Sequence, residues 1–279
     1  ISKRKKTMLN DPTLPQSYKH AMSMPDKDLW QEAFDKEING LHVVKKSFLP
    51  VKTEDLYTHK DCKKILNSSI ICKRKLDKDG NVKSYKVRLV VGGNGQHAGD
   101  GTFDDTFAPT ASLVTQRLCF ALAVNLGLKP YQLDVEQAFL NADIDDKTIL
   151  VRLPAGILID DCSHVKLLKA VYGLKQSPNL WYKLCHDTIL SCESRLTRSK
   201  TDPCFFHYVS DKLIVLLTVT VDDIAIFTND DDWLQKFKKD FNKIFAITQE
   251  TDFSWFLGTK MEWSTDYSAV KLTQPNHIR

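Results

Sequence analysis

A chain of 279 residues with 42% hydrophobic content can bury a core of its own, as one large domain or two small ones, which excludes overall disorder. With 39 Lys and Arg against 35 Asp and Glu it is modestly basic, which permits a polyanionic partner without requiring one. No apolar run reaches the ~20 residues that span a bilayer, and seven cysteines without CxxC or finger spacing read as reduced thiols of an intracellular protein, cytoplasmic or nuclear, with no membrane partner.

The chain opens on Ile1 rather than Met, which reads as a fragment or a processed product. Residues 1–27 are polar, begin with the basic cluster Lys3 to Lys6, and read as a flexible lead-in. Trp30, Phe34, Ile38 and Leu41 recur at helical spacing and predict an amphipathic helix over 28–41. From Ile70 to Val91 two alternating strands are expected, joined at Asp79-Gly80, a strong hairpin signal. That hairpin carries Lys73, Arg74, Lys75, Lys78, Lys83, Lys86 and Arg88 against Asp77 and Asp79. Lysines also protect exposed sheet edges, but an excess this large favours a phosphate-facing hairpin. Gly92, Gly93, Gly95, Gly99 and Gly101 lack a following Lys-Ser/Thr or a GxGxxG spacing, so they read as a connector rather than a phosphate loop.

Ser112 is placed to cap a helix over 113–126 that Gly127 stops, with Val114, Leu118, Ala121, Leu122 and Leu126 as its expected inner stripe. A strand follows over 128–135 and ends near Asp134. Ser177-Pro178 starts another helix, whose stripe is Trp181, Leu184, Cys185, Thr188, Ile189 and Cys192. Leu213 to Thr228 then runs through uncharged, largely β-branched residues into Asp222 and Asp223 and out through Ile224 to Phe227, which predicts a buried hairpin with acid at its tip. Two aspartates are a poor choice for a tight turn, where Asn-Gly or Asp-Gly is usual, and so suggest a site. A helix after Asp230 buries Trp233, Phe237, Phe241 and Ile244, and a last hairpin over 253–272 turns near Ser264 to Ser268. The whole reads as α+β around a small antiparallel sheet.

If the strand ending at Asp134 lies beside the acidic hairpin, three carboxylates meet, a donor set suited to Mg²⁺, with nucleotidyl transfer by two ions as the implied reaction class. From spacing alone, a solvated acidic turn explains the pair as well as a metal site does.

Several strings go beyond spacing: DVEQAFL from Asp134, VYGLKQSPNLWY from Val171 to Tyr182, VDD from Val221 to Asp223, and WFLG from Trp255 to Gly258. Upstream stand Trp30, Ala33 and Glu37, YKVRLV from Tyr85 to Val90, Gln96, and TFAP from Thr106 followed by Arg117. In this order they resemble the reverse transcriptases of copia-type retrotransposons, over about residues 14 to 279. The resemblance implies a right-hand polymerase with most of its thumb absent. It divides the chain into mainly fingers (28–127), palm (128–142), fingers (143–170), palm (171–250), and the primer grip with the start of a thumb (251–279).

By the same resemblance, Asp134 and Asp222 are the main ligands of two Mg²⁺ ions, Asp223 is a peripheral acid, and the Val135 carbonyl assists. Phe139 falls where these enzymes place the aromatic gate against a ribose 2′-hydroxyl. Gln176 lies in the segment lining nucleotide and template, and Lys86 and Arg88 are triphosphate contacts. Lys73, Lys75, Gly173, Lys175 and the grip residues Trp255, Phe256, Leu257 and Gly258 face nucleic acid. Implied partners are RNA and DNA templates, a primer, dNTPs, and the integrase, RNase H and capsid segments of a parent polyprotein, in a cytoplasmic virus-like particle. Two positions depart from the family pattern: Thr220 stands where Tyr is usual, and Gly92-Gly93 where a basic residue is. Those departures keep a non-catalytic nucleic-acid-binding remnant as the rival reading.

Overall fold

A computed structural model describes residues 13–58, 64–76, 81–144, 148–250 and 253–275. The expected turn at Asp79-Gly80 and the cluster Lys3 to Lys6 lie outside the described residues. The chain forms two compact units, one of residues 1–106 and 139–180, the other of 107–138 and 181–279. In the second unit the helix after Ser112 packs on the sheet that carries the acids.

The elements of the first unit are α1 (Tyr18–Met22), α2 (Lys27–Asn39), β1 (Phe48–Val51), β2 (Ile65–Leu76) and β3 (Val82–Val91). The second unit contributes α3 (Leu113–Leu126) and β4 (Lys129–Val135); β5 (Leu150–Arg152) and β6 (His164–Leu167) return to the first. Helix α4 (Ser177–Cys192) leads into β7 (Thr197–Arg198), β8 (Phe205–Val209), β9 (Ile214–Thr220), β10 (Asp223–Thr228), α5 (Asp231–Asn242) and β11 (Ile247–Glu250). Strands β12 (Trp255–Phe256), β13 (Thr259–Trp263) and β14 (Val270–Thr273) close the described chain.

In the first unit, β1-β6-β5-β2-β3 form one sheet, in which only the β2–β5 pair is parallel. Helix α2 lays Trp30, Ala33 and Phe34 against Cys72 and Val87 of the β2–β3 hairpin. This helix ends near the expected position and runs on into a π turn, Gly40–Val44. Strands β1, β5 and β6 are three or four residues long and carry no alternation that the sequence reading could separate from loop.

In the second unit, β11-β4-β10-β9-β8-β7 form an antiparallel sheet, and β12-β13-β14 a smaller one. Residues Val215 to Val219 of β9 are all buried, as in a strand covered on both faces, which is why the sequence shows an apolar run instead of alternation. Ser112 caps α3 by accepting from Thr115 N–H, and Gly127 ends it at φ 62°, as expected. Its inner face differs from the expected stripe: Gln116, Cys119, Phe120 and Ala123 are buried, whereas Val114 is 76% exposed and Leu118 51%. Apolar residues surround this helix, so periodicity does not choose a face. Phe120 does, with its ring edge-on to Phe227 at 5.6 Å. Helix α5 is capped by Asp230, which accepts from Trp233 N–H, and buries Trp233, Phe237 and Phe241 as expected, while Ile244 lies beyond its end and is exposed. The expected last hairpin is three strands, because a turn at Leu257-Gly258 splits off β12. Among the described residues no helix is long and apolar enough to cross a membrane.

His186 of α4 is 2% exposed, lies against the rings of Tyr182 and Phe206, and has no hydrogen-bond partner at either ring nitrogen. Burial, with Arg198 adding to it, pushes its pKa from 6.5 down to about 4. Above pH 6.5 both folded and unfolded chains hold it neutral; as pH falls toward 4, only the unfolded chain takes up the proton, so stability is lost across that window. Urea unfolding at pH 7 and pH 4.5 should show His186→Leu losing about 2 kcal/mol less than the wild type between the two, and equal losses would contradict a buried neutral imidazole.

Candidate active site

Strand pairing decides where the acids go. In the β4–β10 ladder Asp223 stands directly opposite Asp134, and in the β9–β10 ladder it stands opposite Thr220. The hairpin turn therefore consists of Val221 and Asp222, not of the two aspartates expected from sequence; Asp223 is the first residue of β10. Val135 N–H donates to the Asp222 carbonyl at 2.9 Å, which ties the turn to the end of β4. Gln132 Nε2 donates to Asp223 Oδ1 at 3.2 Å. Aspartates directly opposite on neighbouring strands repel one another. The arrangement is unfavourable for folding and favourable for a cation.

Val221 has φ 57°, a backbone conformation that β-branched residues rarely adopt. Such strain costs on the order of 1–3 kcal/mol and persists only where the surroundings fix it. Here Trp181 Nε1–H of α4 donates to the Val221 carbonyl at 2.7 Å, and Gln116 Nε2 of α3 to Thr220 Oγ1 at 3.3 Å and to the Ala111 carbonyl at 3.1 Å. Ala111 N–H in turn donates to the Val219 carbonyl at 3.1 Å. The hydroxyl of Thr220 is thus in use. Trp181 and Gln116 were missed in their site role because Trp181 belongs to an ordinary core stripe and Gln116 interrupts one.

Also in this unit, Leu257 and Gly258 form the two-residue turn between β12 and β13, both at positive φ (49° and 79°). Phe256 points into the core with Phe120, Phe227, Phe253 and Met261, while Trp255 and Leu257 are exposed. A leucine held at positive φ on an exposed turn is a poor choice for folding and presents an apolar tip.

In the first unit, the β2–β3 register sets Lys73 opposite Lys86, Ile71 opposite Arg88 and Lys75 opposite Ser84. Opposed residues share a face, so the four expected cations Lys73, Lys75, Lys86 and Arg88 lie together, away from the face that packs Cys72 and Val87 on α2. Arg74 is on the other face, paired with Asp26 at 2.7 Å. Arg88 is partly committed: Nη1 meets Glu37 Oε2 at 3.0 Å, and its guanidinium lies 5.2 Å from the Tyr172 ring centre. Burial pushes the Glu37 carboxyl above its ordinary range, against the pull of Arg88 and the Leu89 N–H. Phe139, half-buried in the 3₁₀ turn Ala138–Asn141, sits edge-on to Tyr172 at 5.2 Å. The expected gate and the expected phosphate cation thus share Tyr172 as a neighbour.

Gln176 is 1% exposed; Oε1 accepts from Gln96 Nε2 at 3.0 Å and Nε2 donates to the Thr102 carbonyl at 2.8 Å. Its side chain anchors the segment it belongs to instead of lining an open surface, because a buried amide must find partners inside the protein. Lys175 is exposed, with Nζ on the Gln96 carbonyl at 2.7 Å and over the Phe103 ring. Gly173 has φ 99°, and a Cβ there would meet the Val91 carbonyl oxygen at 2.0 Å; one on Gly93 would meet the Gly173 carbonyl at 2.1 Å. At Gly173 the backbone thus closes on the end of β3, and Gly93 stands where it does because that contact leaves no room.

Among the described residues no three His, Cys, Asp or Glu side chains form a ready-made metal cage. What Asp134, Asp222 and Asp223 offer are hard oxygen donors on two adjacent strands and the turn beside them, the kind Mg²⁺ uses together with substrate phosphates and water.

The profile of a family described as reverse transcriptase (RNA-dependent DNA polymerase) matches residues 52–279. The chain is 31% identical over 274 residues to the retrovirus-related Pol polyprotein from transposon TNT 1-94 of Nicotiana tabacum, covering 97% of this chain and 20% of that one. It is 33% identical over 186 residues to the Pol polyprotein from transposon RE1 of Arabidopsis thaliana, covering 66% and 12%. Against the transposon Ty1-NL2 Gag-Pol polyprotein of Saccharomyces cerevisiae it is 30% identical over 209 residues, covering 74% and 11%. It therefore spans a fifth or less of the curated relatives it matches.

Gly173→Ala, which adds a Cβ where both space and φ forbid one, should cost more than ~2 kcal/mol in urea unfolding. A change below ~0.5 kcal/mol would contradict the packing of Val91 on Gly173.

Proposed function

The chain belongs to the reverse transcriptase (RNA-dependent DNA polymerase) family of copia-type Pol polyproteins, and from that premise we propose that it extends a primer 3′-hydroxyl with deoxynucleotides on an RNA or DNA template. The observation that carries this reading is the strand register, in which Asp223 faces Asp134 and the turn holding Asp222 is bonded to Val135. In the proposed site Asp134 and Asp222, with the Val135 carbonyl, would hold two Mg²⁺ ions, and Asp223 would be the outer acid. Two ions bound there would supply activation of the attacking hydroxyl and stabilisation of the leaving pyrophosphate. The protein's own share is positioning and charge, as in phosphoryl transfer generally.

Lys86 and Arg88 are the proposed triphosphate contacts, Arg88 using the donors that Glu37 leaves to it. Lys73, Lys75 and Lys175 face the nucleic-acid backbone, and Gly173 and Gln176 hold the adjoining segment in place. Phe139, braced by Tyr172, is the proposed gate against a 2′-hydroxyl, and Trp255 to Gly258 the proposed primer grip, with Trp255 and Leu257 exposed to meet the strand. These roles correspond to fingers, palm and the start of a thumb. Integrase, RNase H and capsid segments of a longer polyprotein, in a cytoplasmic virus-like particle, are its proposed context, with the nucleus as a later compartment. The departures from the family pattern do not favour a non-catalytic remnant, since Thr220 bonds Gln116 and Gly93 accommodates Gly173.

Mg²⁺-dependent extension of a DNA primer on an RNA template should be lost by at least ~100-fold in Asp222→Ala, with primer-template affinity within about twofold. Affinity lost in parallel with activity would make the aspartate structural. Phe139→Ala should raise ribonucleotide use relative to deoxynucleotide use by ~10-fold or more, and unchanged sugar selectivity would remove the gate from Phe139.

A further inference from the structure

Both peptide planes that bound Asp222 are held by hydrogen bonds from outside the turn. The plane after it carries the Asp222 carbonyl, which accepts from Val135 N–H at 2.9 Å. The plane before it carries the Val221 carbonyl, which accepts from Trp181 Nε1–H at 2.7 Å. Val221 has positive φ and Asp222 does not, the combination of a type II′ turn, whose first central residue is ordinarily glycine. Rotation of the peptide between these two residues interconverts turn types and would re-aim the Asp222 side chain. An N–H held in place by its own packing opposes that rotation. Trp181 is such a donor: it is buried, and its ring packs against Phe245 at 5.0 Å.

We propose that Trp181 is a positioning residue for nucleotidyl transfer, acting through the Val221 carbonyl to fix the direction in which Asp222 leaves the backbone. The inference rests on the polymerase reading above. Trp181 touches no substrate. A glycine at position 221 would adopt the same turn without help, so the need for the indole N–H follows from the valine.

The test is a cycle of Trp181→Phe, which keeps an aromatic ring but removes the donor, and Val221→Gly, which removes the need for it. Trp181→Phe should lower kcat by about 10- to 100-fold, with KM for dNTP and primer-template affinity changed less than about twofold. The double variant should recover to within about threefold of Val221→Gly alone. A kcat within about twofold of wild type in Trp181→Phe, or a loss that Val221→Gly does not restore and that follows the fall in Tm, overturns the inference and leaves the polymerase reading intact. A wild-type chain that extends no primer refutes the polymerase reading, and the inference with it. Without reference to turnover, the Trp181 indole N–H, identified in ¹⁵N-tryptophan spectra by its loss in Trp181→Phe, should exchange slowly in D₂O. Rapid exchange in the wild type overturns the clamp itself.

Discussion

The pairing of β10 with β4 on one side and β9 on the other is the constraint from which the rest of the proposed site follows. It places Asp223 opposite Asp134 and fixes the turn to Val221 and Asp222. A slip of one residue would turn Ile224, Ile226 and the rest of β10 to the opposite faces of the sheet. Because residues on both faces of β9 and β10 are buried, such a slip would disrupt packing on both sides of the sheet at once. Hydrophobic packing thus enforces an electrostatically unfavourable meeting of acids.

Unfavourable features mark the proposed site residues in each of the two units. Opposed carboxylates, a valine at positive φ, and two lysines facing each other across β2 and β3 each run against folding preference. A cation at the first and phosphates at the last would offset the repulsion between like charges. Elsewhere the chain obeys ordinary rules: α3 is capped by Ser112 and stopped by Gly127, and α5 is capped by Asp230 with Asp231 and Asp232 in its first turn. Natural sequences break local rules at functional sites and follow them elsewhere.

Much of this was legible in the sequence. The acidic hairpin, the β2–β3 arms and the helices after Ser112, Ser177 and Asp230 announce themselves through caps, stops and apolar runs. That Asp223 faces Asp134 was not legible, because that register depends on a partner strand some ninety positions away along the chain. The inner face of α3 was hidden by its excess of leucine and valine, and the short strands β1, β5 and β6 by their length. Residues that work through one hydrogen bond were hidden most completely: Trp181 and Gln116 look like core until the partner carbonyl and hydroxyl are seen. Likewise Gln176 reads as a nucleotide contact from its string, yet its amide is spent on Gln96 and Thr102.

The most direct test of the central claim, that strand register makes a cation site of Asp134 and Asp222, is Mn²⁺ binding followed by electron paramagnetic resonance in the presence of primer-template and a non-hydrolysable dNTP. The account predicts that Asp134→Asn and Asp222→Asn each weaken binding by ~10-fold or more while the protein keeps its fold and its primer-template affinity. Binding unchanged in both variants would mean that the acids meet without holding a metal, and the site would have to be sought elsewhere.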